Sequence, residues 1–442
     1  MHNILLVGAG RSSSSLISYL TSLCESKKWG LVVGDVSRES ALAKTKGHPS
    51  SKAIQFDVNN SDQCSTEVQN CSLVISLLPP HLHHLLAVEC IKRKKHFITA
   101  SYLSPEILSL HDDAQKAGIL MLNECGLDPG IDHMSAMEVI NKLKADGCEL
   151  IAFRSYTGGL VAPESNDNPW GYKFSWNPRN VIVAGQGTAR YIRNGEYKYL
   201  PYNRLFTDIE SIQVEGIGSF DGYANRDSLA YRHHYNIENI PTLLRGTLRQ
   251  AGFCRAWDVF VKLGLTDDSF KVEHSEKLTY AQLIKAFLPG NVKSDNLVEV
   301  VARFCGLPID GEAMSKVMWT GIFEEEIIGI SDASPAMILQ HLLEQKWKLQ
   351  PHDKDMILMQ HQFEYLKNGE NKKLVSSLVV KGDDQTYTAM AKTVGLPLGI
   401  AAKLVLEEKI KLTGVHIPVL KEIYEPILKE LETFNIIFVE TH

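Results

Sequence analysis

Short apolar runs alternate with segments of helical period over the first third of the chain. Asn3–Val7 reads as a strand, and Leu16, Ile17, Leu20 and Leu23 then fall on one helix face. Leu31–Val33, Ala53–Phe56 and Leu73–Leu78 read as further strands. A helix over Leu82–Lys92, the strand His96–Ala100, a helix over Pro105–Ala117 and the strand Ile119–Leu122 continue the alternation. Parallel neighbours need a crossover, so this order predicts a parallel sheet with helices on both faces. The expected fold class is α/β, with an N-terminal doubly wound domain.

Asp128-Pro129-Gly130 carries a helix start. Asp accepts from free terminal amides, and Pro lacks the donor that the first helical position would leave unpaired. The helix runs through Met137, Ile140 and Leu143 to Gly147. Beyond it the pattern shifts to mixed segments rich in Gly, Pro, Asn and aromatics, which puts a domain change at residue 128. Residues 256–345 read as mainly helical, with strand-like runs at Met356–Met359 and Leu374–Val380. Met390–Ile410 reads as an apolar helix interrupted by Gly395 and Pro397.

A length of 442 residues calls for more than one domain. Hydrophobic residues at 44% and charged ones at 22% fit a soluble globular protein. The net charge of -6, without clustered Lys and Arg, gives no case for a nucleic-acid or membrane-surface partner. Apolar runs fall short of the roughly 18 to 20 residues of a membrane span. Met1 leads directly into an apolar strand without a basic region or cleavage site, so no signal peptide is expected. The eight cysteines never form a Cys-x-x-Cys pair, which points to reduced thiols and a cytoplasmic location. His81, His83 and His84 sit at a strand-to-helix junction without carboxylate or thiol partners, and no metal site is expected.

Gly8-Ala9-Gly10-Arg11-Ser12-Ser13 lies between the first strand and the first helix. Gly8 allows a tight turn and Gly10 bares the backbone for a pyrophosphate, while Ser13 takes the position where a small residue lets helix and strand pack closely. Asp35 ends the second strand, where a carboxylate accepts from the adenosine ribose hydroxyls and repels a 2′-phosphate. The expected cofactor is therefore NAD in preference to NADP, with Arg38 as the group that would serve NADP.

Ala100-Ser101-Tyr102 ends a strand, where open α/β sheets place ligands, and Asp128 follows the next strand end. Tyr102 is a proton donor or acceptor or a substrate holder; Asp128 is a substrate or ribose contact and a helix cap. Asp132 and His133, just beyond, read as structural. Lys173, Arg226, Arg245 and Arg249 supply cations for a substrate with several carboxylates.

With these residues in view, the chain resembles the glutamate-forming saccharopine dehydrogenases, also called saccharopine reductases. The likeness covers nearly the whole length. It rests on Val-Ile-Ser-Leu-Leu-Pro at 74–79, Ala-Ser-Tyr at 100–102 and Gly-Leu-Asp-Pro-Gly-Ile-Asp-His at 126–133. It continues through Ser-Tyr-Thr-Gly-Gly-Leu-Val-Ala-Pro-Glu at 155–164, Gly-Tyr-Lys-Phe-Ser-Trp at 171–176 and Asn-Arg-Asp-Ser at 225–228. Leu-Arg-Gly-Thr-Leu-Arg at 244–249 and Ala-Met-Ala-Lys-Thr-Val-Gly-Leu-Pro at 389–397 complete it. Thr157 stands where the family often has Cys, and Val161 where it often has Pro.

The resemblance implies a Rossmann domain over 1–128, completed by a returning segment over 389–442. Between them, 129–388 forms an inserted mixed α+β domain for substrate binding and dimerisation. It implies cofactor contacts at Gly8, Ala9, Gly10, Arg11, Ser12, Asp35, Val36, Ser37, Asp57, Val58, Leu78, Ala100, Ser101, Leu127, Asp128, Pro129 and Asn177. Substrate contacts carry over to Ser101, Tyr102, Asp128, Arg226, Thr247, Leu248 and Arg249, with Asp128 and Tyr102 as catalytic candidates. The implied reaction cleaves saccharopine with NAD(P) and water to glutamate and 2-aminoadipate 6-semialdehyde, in lysine degradation or biosynthesis. A homodimer is compatible with this reading. Two other readings stand beside it: a dehydrogenase for another carboxylated secondary amine such as carboxynorspermidine, and a non-catalytic NAD(H)-binding regulator.

Overall fold

The computed structural model describes residues 2–290 and 296–442. It divides into two compact units: Met1–Leu150 with Leu366–Asn371 and Leu378–Thr441, and Ile151–Tyr365 with Lys372–Ser377 and His442. The first unit thus runs past residue 128, because the helix Ile131–Ala145 packs within it on the helix Lys421–Leu431.

In chain order the strands are β1 Asn3–Val7, β2 Gly30–Asp35, β3 Ser51–Gln55, β4 Leu73–Ser76, β5 His96–Thr99 and β6 Leu120–Leu122. Then come β7 Glu149–Val161, β8 Ala189–Arg193, β9 Glu196–Leu200, β10 Ile209–Val214, β11 Gly218–Ala224 and β12 Thr242–Gln250. β13 Asp355–Lys367, β14 Glu370–Lys381 and β15 Gly414–His416 follow.

The sheet of the first unit has the order β15-β6-β5-β4-β1-β2-β3, and every pairing is parallel. Helices cover both faces, which is why Ile4 to Val7 in β1 form one apolar run, each at most 1% exposed. The Rossmann expectation holds, and β15 from the C-terminal segment extends the sheet beside β6. Strand order reverses between β1 and β4, so the loops at their carboxyl ends border the crevice where such sheets take ligands.

The apolar helix of the C-terminal segment is continuous over Ala389–Leu406, with Pro397 inside it. It lies on the helix Ser14–Lys27, and a Cβ on Gly395 would meet the Leu16 amide nitrogen at 2.9 Å. Contrary to the sequence expectation, this helix reaches the length and apolarity of a membrane span by composition; 83% of it is buried inside the fold.

Two other helix expectations change. Pro105–Ala117 is a pair of helices, Pro105–Leu108 and His111–Ala117. The helix expected to open at Pro129 begins at Ile131, with Gly130 at φ +150° before it. Asp128 and Pro129 form a turn joined by a cis peptide, and the Gly130 amide donates to Asp132 Oδ1 at 2.6 Å.

In the second unit the main sheet path is β10-β11-β12-β7-β13-β14, with β8 on β12 and β9 on β8. The strand-like runs of the sequence lie within the longer strands β13 and β14, at the start of the first and in the second half of the other. The stretch read as helical holds Phe253–Lys262, Tyr280–Phe287, Leu297–Cys305, Glu312–Trp319 and Pro335–Lys346; residues 291–295 within it lie outside the described residues. Aromatic residues of the second unit fill a core: Trp170 stacks on Phe260 at 5.7 Å and meets Trp347 edge-on at 5.3 Å. All eight cysteines are unpaired thiols.

Candidate active site

The cofactor candidates of the first unit all follow carboxyl ends of strands in one sheet. Gly8 to Ser12 follow β1, Val36 and Ser37 follow β2 after its last residue Asp35, and Asp57 and Val58 follow β3. Leu78 follows β4, Ala100 and Ser101 follow β5, and Leu127 to Pro129 follow β6. Gly8 holds φ +106°, and a Cβ there would sit 3.0 Å from the Leu77 carbonyl oxygen, so a side chain would strain the turn. A Cβ on Gly10 would meet nothing within 4 Å, which leaves its backbone open to a ligand. A tight turn with open backbone before the helix Ser14–Lys27 fits a dinucleotide pyrophosphate. Ser13 is fully buried and its hydroxyl donates to the Gly10 carbonyl at 2.8 Å.

Asp35 does not stand free at the end of β2. Its Oδ2 accepts from the Ala9 amide at 2.7 Å and its Oδ1 from the Ser37 amide at 3.0 Å. The carboxylate ties the glycine loop to the next turn. Ser37 caps the helix Arg38–Thr45 by accepting from the Ser40 amide, and Arg38 is exposed in its first turn. Asp57 Oδ1 accepts from the Asn59 amide at 2.9 Å, and Val58 is buried.

The three histidines separate. His81 is exposed, whereas His83 is 2% exposed, with Nδ1 2.8 Å from Ser76 Oγ and Nε2 2.7 Å from Ser101 Oγ. Burial, with a smaller effect of nearby His81, lowers the His83 pKa to about 4, so the ring is neutral near pH 7. Sequence pattern missed this bridge, because it is made by folding, which sets His83 between the ends of two strands at Ser76 and Ser101.

Tyr102 and Asp128, candidates on separate loops, are brought together: the Tyr102 hydroxyl donates to Asp128 Oδ1 at 3.1 Å. Both side chains are half-buried, so the pair keeps contact with solvent or a ligand.

In the second unit, β11 and β12 set Tyr223 opposite Thr247, and β7 sets Thr157 opposite Thr247 on its other side. The Thr157 hydroxyl is buried with no hydrogen-bond partner, and Val161 near the end of β7 is buried. Thr247 is half-buried and Leu248 fully buried. Arg226 is exposed at φ +50° just past β11. Arg249 is 5% exposed, and its guanidinium lies over the rings of Tyr172 at 5.4 Å and Phe253 at 5.6 Å. Arg245 lies over Tyr231 at 4.2 Å. Lys173 is not available as a substrate cation: Asp167 and Asp353 both hold its Nζ at 2.7 Å. Asn177, exposed, uses its side-chain oxygen to cap the helix Pro178–Ile182.

Comparison with known proteins matches two family models to this chain. One is the saccharopine dehydrogenase NADP binding domain over residues 4–122, the other the saccharopine dehydrogenase C-terminal domain over residues 126–436. The chain belongs to the saccharopine dehydrogenase family. A solved structure of apo histidine-tagged saccharopine dehydrogenase (L-Glu forming) from Saccharomyces cerevisiae aligns with a TM-score of 0.90 at 32% identity, covering 100% of this chain and 99% of that one. Saccharopine dehydrogenase [NADP(+), L-glutamate-forming] of Pyricularia oryzae is 33% identical over 440 residues, 97% of this chain and 96% of that protein. Alpha-aminoadipic semialdehyde synthase of Arabidopsis thaliana is 34% identical over 99% of this chain, which spans 44% of that longer relative.

These likenesses overturn the expectation of NAD in preference to NADP. The fungal saccharopine dehydrogenases are named for NADP(+), and the N-terminal family model is an NADP binding domain. The physical reason lies at Asp35. A carboxylate selects NAD when it faces the ribose hydroxyls, but both oxygens of Asp35 hold backbone amides, so its presence in the sequence is explained by the turn it ties.

Proposed function

We propose that the chain oxidises L-saccharopine with NADP+ and water, releasing L-glutamate and L-2-aminoadipate 6-semialdehyde in lysine metabolism. The observation that carries this is the end-to-end likeness to glutamate-forming saccharopine dehydrogenases, 97% of this chain against 96% of the Pyricularia protein. The reaction removes a hydride from the carbon of the aminoadipate half next to the bridging nitrogen. The resulting imine takes up water, and its C–N bond breaks to give the aldehyde and the glutamate amine.

Bound NADP+ supplies the hydride acceptor. The Gly8 to Ser12 loop would hold its pyrophosphate. Arg38, exposed beside Ser37 at the end of β2, is proposed for the 2′-phosphate, where a guanidinium forms charge-assisted bonds. Ser101, Tyr102 and Asp128 are proposed substrate contacts in the first unit, and Arg226, Thr247, Leu248 and Arg249 in the second. Arg226, exposed, suits a substrate carboxylate; Arg249, its guanidinium over Tyr172 and Phe253, is on the same strand as Thr247. The Tyr102–Asp128 pair orients the bridging amine, whose deprotonation the reaction requires.

Product analysis tests the reading. Purified chain with saccharopine and NADP+ should yield glutamate and an aldehyde in equal amounts. Release of lysine and 2-oxoglutarate would mean that the other C–N bond is cleaved and would reject it.

A further inference from the structure

The loop that carries Tyr102 and the loop that carries Asp128 hang on one buried ionisable chain. Glu124, just past β6, is 4% exposed and holds φ +55°, a backbone conformation uncommon for a side chain of its size. Its amide donates to the Ser101 carbonyl at 3.0 Å, and its Oε1 accepts from the Leu103 amide at 2.9 Å. Tyr102 is thus bracketed on both sides by bonds to one residue. Glu124 Oε2 lies 2.8 Å from Nε2 of His133, which is fully buried in the helix Ile131–Ala145. His133 Nδ1 is 3.7 Å from Asp132 Oδ2, and Asp132 Oδ1 accepts from the Gly130 amide, two residues past Asp128. Burying ionisable groups is unfavourable unless they are paired and hydrogen-bonded, and an apolar core would stabilise the fold equally well. What an apolar core would not do is fix two loops in register.

We propose that Glu124 and His133 are positioning residues of the dehydrogenase: they hold the Ser101–Leu103 segment so that the Tyr102 hydroxyl stays on Asp128 at the substrate. This rests on the saccharopine reading above. His133 anchors Glu124 to the rigid helix, Glu124 anchors the Tyr102 loop, and Asp132 anchors the turn after Asp128.

The test compares wild type, Glu124→Ala and Glu124→Gln by steady-state kinetics with saccharopine and NADP+, and by amide hydrogen exchange of the 101–104 segment without substrate. Misplacement near the chemistry costs up to about a hundredfold, so Glu124→Ala should lose about that in kcat while the KM for NADP+ stays within about twofold. Glu124→Gln, whose amide oxygen still accepts from Leu103, should recover most of kcat. The Leu103 amide should exchange faster in Glu124→Ala and near the wild-type rate in Glu124→Gln. A kcat for Glu124→Ala within about threefold of wild type, or unaltered Leu103 exchange, overturns the proposal. Should Glu124→Ala fail to fold, His133→Ala carries the same two readouts. If the wild type itself does not turn over saccharopine, the functional reading fails, and Leu103 exchange alone decides the positioning role.

Discussion

At the scale of single residues, Asp35, read from the sequence as a ribose contact, is held by two backbone amides, and Arg38 is the residue proposed for the 2′-phosphate. Asp35 secures the glycine loop through Ala9 and Ser37, while Arg38 projects from the following helix turn. Arg38→Ala should raise the KM for NADP+ about tenfold or more, since charge-assisted hydrogen bonds contribute about 1.5 to 3 kcal/mol, and should leave the rate with NAD+ little changed. Parallel initial rates with the two cofactors check this; equal loss with both would remove Arg38 from the 2′-phosphate. His83 gives a pH prediction. Burial lowers its pKa from 6.5 to about 4, so between those values the unfolded chain binds more protons than the folded one. Stability from this residue is present above pH 6.5 and is lost as pH falls towards about 4, by about 3 kcal/mol at most. Melting temperatures across this range should fall more steeply for wild type than for His83→Gln, and parallel slopes would contradict it. Tyr102 and Asp128 were legible as polar residues at strand ends. Glu124, His133 and His83 were not, because their meaning lies in burial and in bonds between distant segments.

Among the elements, strand and helix order follows from the hydrophobic pattern, and the ends do not. Leu77 and Leu78 look like the end of a strand by composition, yet β4 stops at Ser76 and they belong to the turn that faces Gly8. The pattern breaks Met390–Ile410 at Gly395 and Pro397, since Pro inside a helix costs about 3 kcal/mol. Packing decides otherwise. The helix is continuous because it is buried along its length against Ser14–Lys27, and Gly395 is there to let the two backbones approach. Gly395→Val should therefore lower stability by about 1 to 3 kcal/mol, the usual effect of overpacking, seen as a lower urea midpoint with an unchanged slope. An unchanged midpoint would show that the helices part without strain.

For the molecule as a whole, the α/β class was readable from alternation, because parallel sheets impose a strong pattern, while the inserted organisation came only from the family resemblance. The aromatic segments of the second unit were less so: Lys173, read as a cation for substrate, proves to be an ion-paired lysine, and its neighbours Trp170 and Tyr172 are core rings. Cofactor choice was the misreading, since one carboxylate was assigned its role without knowing where it points. Saccharopine oxidation with NADP+ is tested by absorbance at the reduced-nicotinamide band with saccharopine and NADP+ or NAD+ in parallel. Saccharopine-dependent reduction that is faster with NADP+ is the predicted result. Absence of reduction with NADP+ in the folded protein would contradict it.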